Sequence, residues 1–253
     1  MFERHHAVRK SLLLAALLFL AACSDKSATD PAKPAPTLAD IRSGASQQQA
    51  IEAARRAVLI KPDAALPDSA YQKVDSGDQL MYLFYAVSGL PADMDKIANA
   101  LSQDYRSTSD GFKKQDIVKS LQPRVATEVE RAKQQRYVIW ETDDTPIERY
   151  DFARKVFPVR PVFWDGNNSF YFYNNSNYHL SFAGEEAVRA LKVEDEGTAR
   201  QIEGQLAKGQ RMRLRLYVFA QDVDMNSNTV KAQVVRIELL DPQGHALLRS
   251  GAT

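Results

Sequence analysis

Near the C-terminus, "RMRLRLYVFAQ" and "TVKAQVVRIELL" alternate apolar with polar side chains over a length that only extended backbone can use. In the first, Met212, Leu214, Leu216 and Val218 face one way, while Arg211, Arg213 and Arg215 face the other. In the second, Val230, Ala232 and Val234 share a face, but the apolar series continues at Val235, Ile237 and Leu239. That change of parity predicts a bulge near Val234–Val235. The segment "DVDMNSN" joins the two strands, and "DPQG" turns into a last strand over His245–Arg249. A pair this long fixes the class, because an apolar sheet face must be covered by other elements.

The elements available to cover it lie upstream and have helical period. "SQQQAIEAARRAVLI" puts Ala50, Ala53, Ala54, Ala57 and Val58 on one face, and Pro62 closes it. "SGDQLMYLFYAVSGL" is apolar nearly all round from Leu80 to Val87, which predicts a buried central helix. "PADMDKIANALSQDY" puts Pro91 in the first turn, with Asp93 and Asp95 in the early turns. Ser109 can cap "DGFKKQDIVKSL", and Pro123 kinks or restarts that helix. Tyr137–Trp140 then reads as a strand, "SFYFYNNSNYHLSF" as a hairpin turning at Asn174–Asn177, and Glu194 to Lys208 as a helix. The expected class is α+β: an N-terminal helical segment followed by an antiparallel β-meander with one packed helix.

The only cysteine lies far from these elements. Met1–Lys10 carries Arg4, Arg9 and Lys10 against Glu3, and an uncharged Leu/Ala-rich run of 12 residues follows, Ser11 to Ala22. A bilayer span takes about 20 apolar residues, so the run suits a signal-peptide core better than a transmembrane helix. Leu20-Ala21-Ala22-Cys23 resembles the lipobox of bacterial lipoprotein precursors. The resemblance implies cleavage before Cys23 and acylation of its thiol and new amino group, palmitate included. It also implies a Gram-negative envelope, and Ser24 after the cysteine implies the periplasmic face of the outer membrane. Two or more acyl chains hold a protein stably where one does not. With its one thiol alkylated, the chain has no disulfide to rely on.

Four regions follow: 1–22 as signal peptide, 23–45 as lipidated cysteine and flexible tether, 46–136 helical, and 137–253 as sheet with one helix. Residues 46–253 form one folded unit. The tether "SDKSATDPAKPAPTLADIRSG" is rich in Pro, Ala, Lys and Asp, with no apolar periodicity to offset its ordering entropy. The chain carries a net +1 and residues 1–22 carry +2, leaving the mature protein near −1. That charge argues against a nucleic-acid partner. The stretches "GDQLMYLFYAVSGLPADMDKIA", "YRSTSDGFKKQDIVKSLQP", "FYFYNNSNY" and "AQDVDMNSNTVKAQVVRIELLD" together resemble bacterial envelope proteins known only as a domain of unknown function. The similarity runs from about Tyr71 to Leu248; it implies a single unit there and transfers no site.

Candidate sites are few. Outside the signal segment the histidines are His179 and His245, neither with a second ligand at zinc spacing, and no glycine-flanked nucleophile accompanies them. Asp222, Asp224, Asn226 and Asn228 match the 1, 3, 5, 7 spacing of a calcium loop. Ser227 replaces the glycine of that loop and Gln233 its bidentate acid, so a plain hairpin turn is the better reading. The cluster Phe163, Trp164, Phe170, Tyr171, Phe172, Tyr173, Tyr178 and Phe182 is more informative. By alternation Phe170 and Phe172 face the core, and Tyr171 and Tyr173 face away. The tyrosines offer a platform for a sugar or peptide if that face is wet, and the expectation is that a helix covers it. Arg211, Arg213 and Arg215 read as surface residues, with Glu238 available to pair. The leading functional expectation is a non-enzymatic, lipid-anchored binding or scaffolding protein whose partner is an envelope protein or glycan, with no cofactor. The alternative is a cell-wall hydrolase using paired carboxylates among Asp143, Asp144, Glu185 and Glu186.

Overall fold

The computed structural model describes Ala54 and residues 57–142, 144–145, 147–164 and 168–251, with the side chain of Glu186 left out. All but Ala54 belong to the compact unit Arg55–Thr253. Cys23, the lipobox, the tether and Asp143 lie outside the described residues. So does most of the helix expected over Ser46–Ile60, of which Ala54, Ala57 and Val58 are described as helical.

In chain order the elements are β1 (Gln72–Lys73), α1 (Gly77–Ser88), α2 (Met94–Leu101), α3 (Gln103–Ser107) and α4 (Gly111–Gln134). They continue with β2 (Tyr137–Glu141), β3 (Val156–Pro158), β4 (Phe170–Phe172), β5 (Asn175–Gly184), α5 (Glu186–Arg189) and β6 (Ala190–Lys192). The last are α6 (Glu196–Ala207), β7 (Arg213–Asp224), β8 (Thr229–Leu240) and β9 (Ala246–Gly251). The class is α+β. The main sheet runs β1-β2-β7-β8-β5-β4, with β9 also on β8, and β3 pairs with β6 in a small second sheet.

The main sheet is mixed, which corrects the expected antiparallel meander. β1 runs parallel to β2, and β5 runs parallel to β8. The reason lies in β8, which is buried or half-buried along its whole length and so needs partners on both sides. β7 pairs one side throughout. On the other side β5 takes Thr229–Val234 and β9 takes Arg236–Leu240. The changeover falls at the predicted bulge: Val218 pairs with Val234 and Tyr217 with Arg236, leaving Val235 unpaired. A second bulge at Gln221 separates the pairs Ala220–Ala232 and Asp222–Lys231. Arg136 serves it, donating from Nε to Ala220 O at 2.8 Å and from Nη2 to Gln221 O at 3.0 Å.

One face of this sheet is the core. Leu214, Leu216, Val218 and Ala220 meet Leu239, Ile237, Val234 and Ala232 across the strand pair, all buried. α1 covers them and buries Leu80 to Tyr85, with α4 packed outside it. Ser76 caps α1 in a capping box with Gln79, and Gly89 ends it at φ 67°. The N-terminus of α1 sits directly on the β4–β5 turn. Asn174 Oδ1 accepts from Gly77 N at 2.9 Å, and Asn175 Nδ2 donates to Asp78 Oδ1 at 3.1 Å. A Cβ on Gly77 would lie 2.3 Å from Asn175 O, so the close approach demands glycine.

Several sequence-based boundaries shift. Asp93 caps α2, which leaves Pro91 outside the helix, and Asp110 rather than Ser109 caps α4. α4 runs unbroken through Pro123. The β4–β5 turn is shorter than expected, with Phe172 paired to Asn175 across Tyr173 and Asn174.

Leu216 has no exposed surface, so Leu216→Ala is expected to cost about 2–5 kcal/mol in urea unfolding as lost transfer energy plus a cavity. Arg213→Ala, on the opposite face, is expected to cost no more than about 1 kcal/mol, since its pair with Glu141 at 3.4 Å is partly solvated. Equal losses at the two positions contradict the assignment of the faces.

Candidate binding surface

The sheet face away from α1 divides into an aromatic edge on β4 and a charged field over β7, β8 and β9. On β4, Phe170 turns inward and packs against Trp140, Phe163 and Phe182, with ring centroids 4.8–5.3 Å apart. Tyr171 and Tyr173 turn away from that cluster and are 47% and 95% exposed. This overturns the expectation that a helix covers them. Their rings stand 5.8 Å apart at 81°, edge to face, and His179 continues the row 5.5 Å from Tyr171. The tyrosines therefore form a corner and not a flat platform. Ser169 Oγ lies 2.9 Å from His179 Nδ1. Among the described residues no carboxylate is hydrogen-bonded to that imidazole. Tyr178, the other tyrosine of the cluster, is core: burial and a hydrogen bond with Tyr85 push its hydroxyl far above the ordinary range.

The calcium-like spacing resolves into a hairpin turn. Asp222 and Asp224 lie within β7, and Asp224 Oδ1 accepts from Asn226 N at 3.0 Å, closing the turn on itself. No group of three or more His, Cys, Asp or Glu is placed to hold a metal among the described residues. Asp144 is exposed and Glu185 is the exposed N-cap residue of α5. Neither lines the two cavities described for the fold. One of these, about 50 Å³, lies among Tyr82, Gln79, Glu128 and Gln135, room for a water or two beside the unpartnered Tyr82 hydroxyl. The other is an open cleft of about 370 Å³ between Ser69–Gln72 and Arg131–Gln135.

The charged field is what sequence reasoning missed. Arg213 and Arg215 do face away from the core, and Arg215 does pair with Glu238, at 3.2 Å. They are not plain surface residues. Arg215 also holds Glu141 at 2.8 Å, Arg249 from β9 holds Glu238, and Glu238 is itself only 4% exposed. Arg236 is 9% exposed, with its guanidinium 4.0 Å from the Tyr217 ring centroid. Tyr71 and Tyr217 flank it, and the rings of Tyr217, Tyr71, Tyr137 and Phe219 follow one another in a row at centroid distances of 4.8–5.4 Å. Burial first, and then the Glu238 charge, push the Tyr217 hydroxyl up, so it stays protonated and donates.

A strap of chain before β1 crosses this face. Gln221 Nε2 donates to Ile60 O at 2.9 Å, Asp63 N donates to the Tyr137 hydroxyl at 2.7 Å, and Gln135 Nε2 donates to Ala70 O at 2.6 Å. At its end Asp68 pairs with Arg236 and Arg249. Partial burial pushes the Asp68 carboxyl up, but the Arg249 hydrogen bond and the two guanidinium charges outweigh it and hold the group below its ordinary 3.8.

Comparison with protein-family models, with curated proteins and with solved structures finds no match to this chain.

A carboxyl held below 3.8 stabilises the fold fully above that pH, and the contribution is lost as pH falls through the depressed value. Asp68 is half-exposed, so Asp68→Asn is expected to cost no more than about 1 kcal/mol, or roughly 2–4 °C in Tm. Melting scans should show that difference constant from about pH 7 to 5 and shrinking below 3.8. A difference that instead grows in acid contradicts the ion pairing.

Proposed function

We propose that this is a lipid-anchored envelope protein, tethered through Cys23 to the periplasmic face of the outer membrane, whose folded part is a binding module and not an enzyme. The exposed corner of Tyr171 and Tyr173 is the observation that carries the binding part of this reading. The edge strand β4 and the turn after it present two large aromatic side chains to solvent, Tyr171 from the strand next to His179 and Tyr173 from the turn. Tyrosine joins a broad apolar face to a hydroxyl, which suits contact with a sugar ring or an extended peptide. The anchoring part rests on the lipobox-like Leu20-Ala21-Ala22-Cys23 and on the uncharged run before it.

Two measurements test the two parts. Tyr171→Ala with Tyr173→Ala is expected to leave Tm within a few degrees of wild type and to weaken retention on an isolated wall or envelope fraction at least about tenfold, a loss of about 1.4 kcal/mol. An early-melting mutant, or one that binds as before, rejects the tyrosine corner as the site. Separately, Cys23→Ala is expected to abolish lipid labelling and release the protein from the outer-membrane fraction. Normal processing and fractionation of that variant reject the anchor.

A further inference from the structure

The geometry points to a carboxylate-recognition site on the outer face of β7, β8 and β9, whose resident occupant is the strap's own Asp68 and which the carboxylate of an acidic peptide takes over when the strap lifts.

The donors and the acceptor come from unlike parts of the protein. Arg236 on β8 donates from Nη2 to Asp68 Oδ1, and Arg249 on β9 donates from Nη2 to Asp68 Oδ2 at 2.7 Å. The Tyr217 hydroxyl on β7, whose one proton it can give to Glu238 Oε2 at 3.0 Å or to Asp68, stands 3.3 Å from Oδ2. These three residues sit on hydrogen-bonded neighbouring strands, with Tyr217 and Arg236 in direct register and Glu238 opposite Arg249. The donors are thus fixed before any carboxylate arrives. Two guanidinium N–H groups aimed at the two oxygens of one planar group is the geometry that selects a carboxylate.

Asp68, by contrast, arrives on a strap that adds nothing to the core. None of the described residues from Ala57 to Ala70 is buried, and the strap is held by the few polar contacts named above. Segments held this way open at low cost while the fold stays intact. Charge balance shows what opening leaves behind. Arg213, Arg215, Arg236 and Arg249 face Glu141, Glu238 and Asp68, a surplus of one positive charge that becomes two when Asp68 departs. Among the described residues Arg236 then keeps no carboxylate, and its Nε is already buried with no partner among them. A guanidinium left without its carboxylate gains by pairing with another, so the open state draws in an external carboxylate. Taking it up frees the strap, which leads back toward the N-terminal part of the chain. This site is separate from the tyrosine corner and depends on neither the anchor nor that corner.

The test is replacement of the resident carboxylate by an added one. In full-length Asp68→Ala, sodium acetate is expected to raise Tm saturably and to shift the arginine Nε–Hε resonances of Arg236 and Arg249. In wild type the same responses should need about tenfold more acetate or beyond, because Asp68 occupies the site in all but a minor open population. Sodium chloride at equal ionic strength should do neither, and Arg249→Gln in the Asp68→Ala background should abolish both. If Asp68→Ala does not fold, Asp68→Asn, which removes the charge and keeps the shape, takes the same titration. Equal acetate responses in wild type and variant overturn the proposal, as does a chloride response matching that of acetate. A stronger response to inorganic phosphate than to acetate overturns the assignment of the ligand class.

Discussion

The β7–β8 ladder is the interaction on which the rest of the structure depends. It joins Arg213–Asp224 to Thr229–Leu240 over their full length, and every other strand of the main sheet is attached to one of the two directly or through one neighbour. Two bulges interrupt the ladder, each a place where the strand bends and its twist increases. The bulge at Val235 also divides the free side of β8, so that a parallel strand serves one half and an antiparallel strand the other. Gly251 marks how tightly that division is made: a Cβ there would lie 2.6 Å from Val235 O. The mixed sheet therefore follows from one buried strand that had to be paired along its whole second side.

The two faces of this sheet are buried by different physics. The inner face is covered by α1, and its aliphatic and aromatic residues gain from leaving water. The outer face around Tyr217 is covered by its own long side chains. The Arg136 guanidinium lies over the Phe219 ring and that of Arg236 over the Tyr217 ring, while the neighbouring Arg215 pairs with Glu141 and Glu238. On such a face the effect of a deletion depends on how far the pair is buried. A partner removed from a buried pair leaves the other charge without compensation, whereas an aliphatic truncation on the inner face costs only its transfer and cavity terms.

Much of this was legible in the residues, and the part that was not has a common cause. The long strands, their inner faces, the bulge at Val235 and the buried helix over Leu80 to Tyr85 all follow from local period, which neighbouring residues express. The parallel pairing of β5 with β8 joins residues some fifty positions apart and leaves no local trace. The outer arginines alternate as solvent-facing residues do. Period reports that they leave the core and says nothing of what crosses above them. The clue lay in Tyr217 and Phe219, two aromatics on the supposedly wet face, where Tyr71 and Tyr137 come to meet them. The tyrosine corner was half legible: alternation gave the direction of Tyr171 and Tyr173, but only the tertiary structure shows that both are exposed.

The support behind that corner bears on what it can do. Tyr171 belongs to the same short strand as Phe170, which is locked among Trp140, Phe163 and Phe182. Tyr173 precedes Asn174 and Asn175, whose side chains meet the N-terminus of α1 at Gly77 and Asp78. The two rings thus project from backbone fixed on one side by the aromatic core and on the other by a capped helix. A surface side chain on a mobile loop loses conformational freedom when it binds, and that loss opposes affinity. Here the backbone's share of the loss is met when the chain folds, because the same hydrogen bonds that seat α1 hold the turn. The close packing that forbids a side chain at Gly77 is therefore also what keeps the tyrosine corner in place. In this protein the demands of the core and of the exposed surface meet in the two asparagines of the β4–β5 turn.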